Sequence, residues 1–134
     1  MIGNRGRVNN GAIGHGPQLG GKVGEYGGAS APTPAAAAKD ADIVLSCVGR
    51  DADLRQVTLG PDGAFDAMKK GAIFIDHTTA SATIARELAG EAKAGGFDFI
   101  DAPVSCGEQG AINGKLTVMC GGGASAYARV EPVI

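Results

Sequence analysis

Apolar and polar positions are scattered over the first 22 residues and become periodic thereafter. Residues 1–22 are crowded with Gly, Asn and Arg and follow neither the two-residue period of a strand nor the 3.6-residue period of a helix, which predicts an irregular or disordered segment. From Glu25 onward the pattern is regular. Thr33 followed by Pro34 reads as an N-cap and first helical residue, with Ala35 to Lys39 as the helix body. The run Ile43 to Val48, interrupted only by Ser46, predicts an interior strand covered on both faces in a parallel sheet. Asp51 to Leu59 and Gly63 to Lys70 predict two short helices, and Gly71 stops the second before a strand over Ala72 to Asp76. Either Ser81 or Thr79 caps the next helix, in which Ile84, Leu88 and Ala92 share one face until Gly95 and Gly96 end it. Phe97 to Ile100 and Leu116 to Cys120 follow as third and fourth strands, and Ser125 opens a last helical turn. Strands alternating with helices at this spacing predict an α/β fold of βαβ units with right-handed crossovers over residues 23–134.

Composition narrows this picture. A chain of 134 residues holds one domain with a real core, not two of similar size. With 23 Gly, no Trp and 4% aromatic residues, that core is built from Ala, Val, Ile and Leu, which suits closely packed α/β layers. Twelve basic residues balance fourteen acidic ones, so the electrostatic footprint of a nucleic-acid or anionic-membrane binder is absent and small partners are favoured. No apolar run approaches the roughly 20 residues that span a bilayer. The N-terminus shows no apolar secretory core. Cys47, Cys106 and Cys120 form no C-x-x-C pair and are odd in number, which supports neither a disulfide framework nor a metal site. The expected location is cytoplasmic, or organellar after removal of a targeting segment.

Candidate chemistry concentrates between Asp101 and Gly122. Gly107, Gly110 and Gly114 permit positive φ and close backbone approach, and Ser105 adds a hydroxyl, which together can cradle a carboxylate. Ser105 and Asp101 have a simpler alternative as caps of their own loop. Cys106 reads either as a reactive thiol or as a small residue filling a tight turn, whereas Cys47 and Cys120, in apolar strands, read as core. His77, at a strand end, favours a surface or hydrogen-bonding role over catalysis, and His15 is expected in solvent.

The segment Asp101-Ala-Pro-Val-Ser-Cys-Gly107, with Gly110-Ala111, Gly114, Leu116-Thr117 and Gly121-Gly122, resembles the substrate-binding signature of the 3-hydroxyisobutyrate dehydrogenase (β-hydroxyacid dehydrogenase) family. Cys106 stands where that family has glycine. The resemblance runs from about Glu25 to Ile134 through Ala41-Asp-Ile-Val44, Gly71 to Asp76 and Thr78-Thr79. It implies a 6-phosphogluconate dehydrogenase-like, Rossmann-type domain and hydride transfer between NAD or NADP and a 3-hydroxy acid or its semialdehyde. It also implies cofactor contacts at Val48, Gly49, Asp53 and Thr79, and contacts to a small carboxylate substrate at Ser105, Cys106 and Gly107. The position is physically sensible, since ligands of open parallel sheets sit beyond the carboxyl ends of the strands.

The chain departs from the family at both ends. Gly14-His-Gly-Pro-Gln-Leu-Gly20 is the nearest approach to the Gly-x-Gly-x-x-Gly turn, but its third glycine comes one residue late. The stretch from Gly14 to Ala41 is too short for the rest of a βαβ unit of about 30 residues plus the next helix. The family's catalytic lysine has no counterpart: neither Lys93 nor Lys115 matches it, so no catalytic residue is assigned. The expectation is an incomplete parallel sheet lacking the first βαβ unit and the C-terminal helical domain, with an uncovered edge prone to self-association or homo-oligomerisation. Three outcomes stay open: an enzyme active only in a longer or assembled form, a nucleotide- or carboxylate-binding module, or a gene fragment without independent function.

Overall fold

The computed structural model describes residues 11–12 and 29–134. The Gly14–Gly20 pattern, His15 and most of the segment 1–22 lie outside the described residues. In chain order the elements are β1 (Gly11–Ala12), β2 (Ala29–Ser30), α1 (Pro34–Ala38), β3 (Ile43–Ser46), α2 (Asp51–Leu59), β4 (Ile73–Asp76) and α3 (Ala82–Gly95). They continue as β5 (Asp98–Asp101), β6 (Val104–Ser105), α4 (Gly107–Ile112), β7 (Thr117–Val118), β8 (Gly121–Gly122) and α5 (Ala124–Val130). Single 3₁₀ turns cover Ala64–Asp66 and Glu131–Val133.

β4, three apolar residues closed by Asp76, is buried along its whole length and lies within a four-stranded sheet of order β3-β4-β5-β8. β3, β4 and β5 are parallel, and the row Ser46, Asp76, Asp101 closes their C-terminal ends in register. Alternation along β4 sends Phe74 to one face and Ile73 and Ile75 to the other. Phe74 meets Val44, Leu54, Ile84, Leu88 and Phe99 under α1, α2 and α3, while Ile73 and Ile75 pack with Ile100, Ala126 and Val130 under α5.

Local signals act as the sequence leads one to expect in α1, α2 and α3. Thr33 Oγ1 accepts the Ala36 N–H at 3.1 Å with Pro34 at the first helical position. Ser81, not Thr79, caps α3 by accepting the Ile84 N–H, and Ile84, Leu88 and Ala92 form its buried face. Gly96 closes that helix at φ 80°, the left-handed conformation that glycine adopts without strain.

Three expectations are corrected. Ile43 to Val48 is not an interior strand: β3 ends at Ser46, lies at the edge of the four-stranded sheet among the described residues, and leaves Leu45 54% exposed. α1, α2 and α3 cover its Val44 face, whereas the cluster under α5 reaches only Ile43. Gly63 to Lys70 contains a single 3₁₀ turn, Ala64–Asp66, and no α-helix; Ala64, Phe65 and Met68 pack into the cluster under the Phe74 face. Leu116 to Cys120 is a strand only over Thr117–Val118, and not in the four-stranded sheet. Thr117–Val118 pairs antiparallel with Val104–Ser105 in a separate ribbon, and Gly121–Gly122 takes the place beside β5. Only a residue without a side chain fits there, since a Cβ on Gly122 would stand 2.9 Å from the Phe99 carbonyl oxygen. Cys47 and Cys120 are accordingly exposed and not part of the core.

Candidate functional site

The carboxyl ends of the three parallel strands are tied together by polar side chains. Thr78 sits two residues beyond Asp76 and turns back on it: its hydroxyl and its amide donate to Asp76 Oδ1 at 2.6 and 3.1 Å. The same Thr78 oxygen accepts the Val48 N–H at 3.0 Å, joining the turn after β4 to the turn after β3. The His77 N–H donates to the Ser46 carbonyl at 2.7 Å, and the Ala102 N–H to the Asp76 carbonyl at 2.7 Å, so the ladder runs one residue past each strand. His77 Nδ1 lies 2.8 Å from the Ala102 carbonyl oxygen; a carbonyl only accepts, so this nitrogen is the donor. The hydrogen-bonding role expected for His77 is the one observed.

The same two turns are joined a second time by Asp51, the first residue of α2. Its Oδ1 accepts the Ser81 N–H at 2.9 Å and its other oxygen accepts the Ser81 hydroxyl. These hydrogen bonds hold the Asp51 carboxyl below its ordinary value. Asp76 behaves oppositely. Burial pushes its carboxyl up, against the Thr78 hydrogen bonds and with the help of the Asp101 charge, and burial also raises Asp101.

The Asp76 shift has a signed consequence. A carboxyl raised above its ordinary value of 3.8 binds its proton more tightly in the folded chain, so its contribution to stability is complete below that pH and is lost as pH rises through the folded value. Asp76→Asn keeps the oxygen that accepts from Thr78 and removes the titration. Urea midpoints measured between about pH 4 and pH 7 are therefore expected to shift from favouring the parent toward favouring Asp76→Asn. A constant difference across that range contradicts the assignment.

Around these turns lie the residues proposed for cofactor contact. Val48 is fixed through Thr78, and Thr79 follows with its side chain exposed. Gly49 faces the first turn of α2, where an added Cβ would sit 3.2 Å from Asp53 Oδ2, and Asp53 Oδ1 lies 3.3 Å from Arg50 Nε. The structure thus brings Val48, Gly49, Asp53 and Thr79 onto adjacent turns.

Ser105, Cys106 and Gly107 leave the β6–β7 ribbon together and are exposed. The glycine-rich stretch after them is not an open turn, because residues Gly107–Ile112 form α4. Cys106 adopts φ 83°, a left-handed conformation in which glycine is unstrained. Its Sγ lies 3.5 Å from Thr117 Oγ1 and 3.9 Å from Ser105 Oγ, and these hydroxyls, Thr117 first, lower the thiol from its ordinary value. Gly107 and Gly114 have the positive φ expected of them. Gly110 is needed for space instead: a Cβ there would stand 2.6 Å from Cys106 Cβ.

A cleft of about 460 Å³ joins the two regions, lined by Cys47, His77, Val104, Leu116, Val118 and Ile134 among others. Val48, Gly49, Thr79, Ser105, Cys106 and Gly107 lie within three positions of a lining residue without lining the cleft themselves, and Asp53 stands further off in α2; neither Lys93 nor Lys115 lines it. The sequence singles out neither Asp51 nor Asp76 as a site residue, reads Cys47 as core, and marks Thr78 only through the family resemblance. For Asp76 a signal exists, an acidic residue ending an apolar strand with threonine two positions on, a spacing that closes a side-chain turn. The Asp51–Ser81 contact, 30 residues apart, leaves none.

A family model described as the NAD binding domain of 6-phosphogluconate dehydrogenase matches residues 20–134. An uncharacterized oxidoreductase of Shewanella frigidimarina is 54% identical over 112 residues, covering 84% of this chain and 38% of its own length. A probable 3-hydroxyisobutyrate dehydrogenase-like 1, mitochondrial, of Arabidopsis thaliana is 36% identical over 81% of this chain and 33% of its own length. The crystal structure of 3-hydroxyisobutyrate dehydrogenase from Salmonella typhimurium superposes with a TM-score of 0.83 at 31% identity, over 92% of this chain and 43% of that one. The chain therefore spans little more than a third of the length of these curated relatives. No helix among the described residues is long and apolar enough to cross a membrane.

Proposed function

The chain belongs to the family of the NAD binding domain of 6-phosphogluconate dehydrogenase, and from that premise we propose that it forms the nicotinamide-holding part of an oxidoreductase acting on a 3-hydroxy acid or its semialdehyde. The observation that carries the reading is the convergence of the turns after β3 and β4, locked by Val48, Thr78 and Asp76, on a cleft shared with the Ser105 region.

The residues fit such a cofactor. Gly49 leaves the β3 turn without a side chain, Thr79 presents an exposed hydroxyl, and Thr78 and Asp76 beneath them satisfy one another, while Ser46 Oγ in the same row is buried without a partner. Val48, Gly49, Asp53 and Thr79 would hold the nicotinamide dinucleotide, which when bound accepts or supplies the hydride. The Ser105 hydroxyl and the N–H groups of Cys106 and Gly107 would hold the substrate carboxylate by charge-assisted hydrogen bonds. Val104, Leu116 and Val118 give the cleft apolar walls that exclude water from the reacting carbonyl. Proton transfer to the substrate oxygen is assigned to a lysine that no residue of this chain matches.

Fusing the chain to the complementary segments of the Shewanella relative and following NADH or NADPH consumption with three- and four-carbon semialdehydes tests the reading. Turnover is expected; a folded, cofactor-binding fusion that reduces none of them and oxidises no 3-hydroxy acid overturns it. In the same fusion Ser105→Ala is expected to raise KM by about tenfold, the loss of one hydrogen bond to a charged group, with kcat little changed. Cys106→Gly is expected to retain or improve activity, because glycine relieves the left-handed backbone and the thiol takes no step in hydride transfer. A second reading is a binding module without turnover. Cofactor binding without turnover in the fusion would select it.

A further inference from the structure

We propose that Asp51 is a positioning residue for the dinucleotide: by gripping Ser81 it sets the turn after β4, with Thr79, at a fixed distance from the turn after β3, with Gly49. The inference rests on the cofactor reading above and goes beyond it, since Asp51 belongs to neither set of contact residues. Its grip is two-pronged. One carboxylate oxygen accepts the Ser81 amide at 2.9 Å and the other accepts the Ser81 hydroxyl, so the residue that caps α3 is held by the residue that begins α2. Thr79 lies two residues before Ser81 and Gly49 two residues before Asp51, so the grip ties, beside these two residues, the turns that Val48 and Thr78 join at their other ends.

The same two helices are braced a turn further along. Arg55, four residues after Asp51, makes a bidentate pair with Glu87 at 2.9 and 2.6 Å. This brace keeps α2 and α3 docked but touches neither turn. The two contacts therefore divide the work: Arg55–Glu87 sets the packing of the helices, and Asp51–Ser81 sets the turns at their N-terminal ends. Arg55 supplies the control, because its loss perturbs helix docking without releasing Ser81.

The test is made on the 134-residue chain with NADH and NADPH as probes, reading Kd from nicotinamide fluorescence and Ser81 amide exchange by NMR. Asp51→Ala is expected to speed Ser81 exchange and weaken binding by about tenfold, the factor corresponding to one charge-assisted hydrogen bond. Asp51→Asn, which still accepts the Ser81 amide but not its hydroxyl, falls between the parent and Asp51→Ala. Arg55→Met leaves Kd within about twofold. Unchanged Kd in Asp51→Ala, or an equal loss in Arg55→Met, overturns the positioning role while leaving the cofactor reading intact. A parent chain that binds neither probe overturns the cofactor reading itself.

Discussion

Replacing Thr78 by valine is expected to lower the unfolding free energy by about 3 kcal/mol, as the sum of two losses at one oxygen. The hydroxyl donates to Asp76 Oδ1 at 2.6 Å and accepts the Val48 N–H at 3.0 Å, and Thr78 and Asp76 are each only 1% exposed. Valine matches threonine in shape but leaves a buried carboxylate oxygen with one donor fewer and a main-chain N–H with none. An unmade hydrogen bond in such surroundings costs more than the net value of a made one. Thr78→Ser keeps the hydroxyl and is expected to recover most of the loss. Urea denaturation of both variants checks this; equal destabilisation by serine and valine would assign the effect to the lost methyl contact instead.

Phe74→Ala is expected to cost about 3–5 kcal/mol, the largest effect of any substitution considered. Phe74 is 1% exposed and lies between two aromatic neighbours, stacked on Phe99 at 6.0 Å between ring centroids and met edge-on by Phe65 at 5.2 Å. Phe65 also meets Phe97 edge-on at 4.9 Å, so one truncation removes the central contact of a group that draws on β4, β5 and the 3₁₀ turn. In a chain with 4% aromatic residues, the phenylalanines are concentrated under one face of the sheet. Little bulky side-chain volume is available nearby to collapse into the cavity. A change in thermal midpoint no larger than that of a surface alanine substitution would contradict this account.

What could be read from the sequence follows the range of the interactions. Elements fixed by neighbours in the chain emerged with their boundaries nearly intact: Thr33 and Pro34 start α1, Ser81 caps α3, Gly96 ends it, and Asp51 to Leu59 is α2 throughout. Burial set by distant elements did not emerge. Ile43 to Val48 is apolar enough for two covered faces, yet only the arrangement of helices over the sheet decides that Leu45 is exposed. Leu116 to Cys120 has strand composition, and only pairing with Val104–Ser105 and the space beside Ile100 determine that it divides before Gly121. At the candidate site, Asp101 to Gly122 attracted attention because glycine and serine leave a local signature. Asp51 acts through a partner 30 residues away that its neighbours in the chain do not point to, whereas Asp76 has its partner two positions on.

The hydrogen bonds from Val48 to Thr78 and from Ser81 to Asp51 share a sequence separation of 30 residues. No short loop closure can make either one; β3 and β4 must already be side by side. The two turns are therefore late products of folding, their assembly waiting on the long-range pairing that sets the pace of α/β chains. In the native state the same dependence runs in reverse. The two turns share partners, so opening one withdraws support from the other, and solvent reaches them through a joint excursion instead of residue-by-residue fraying.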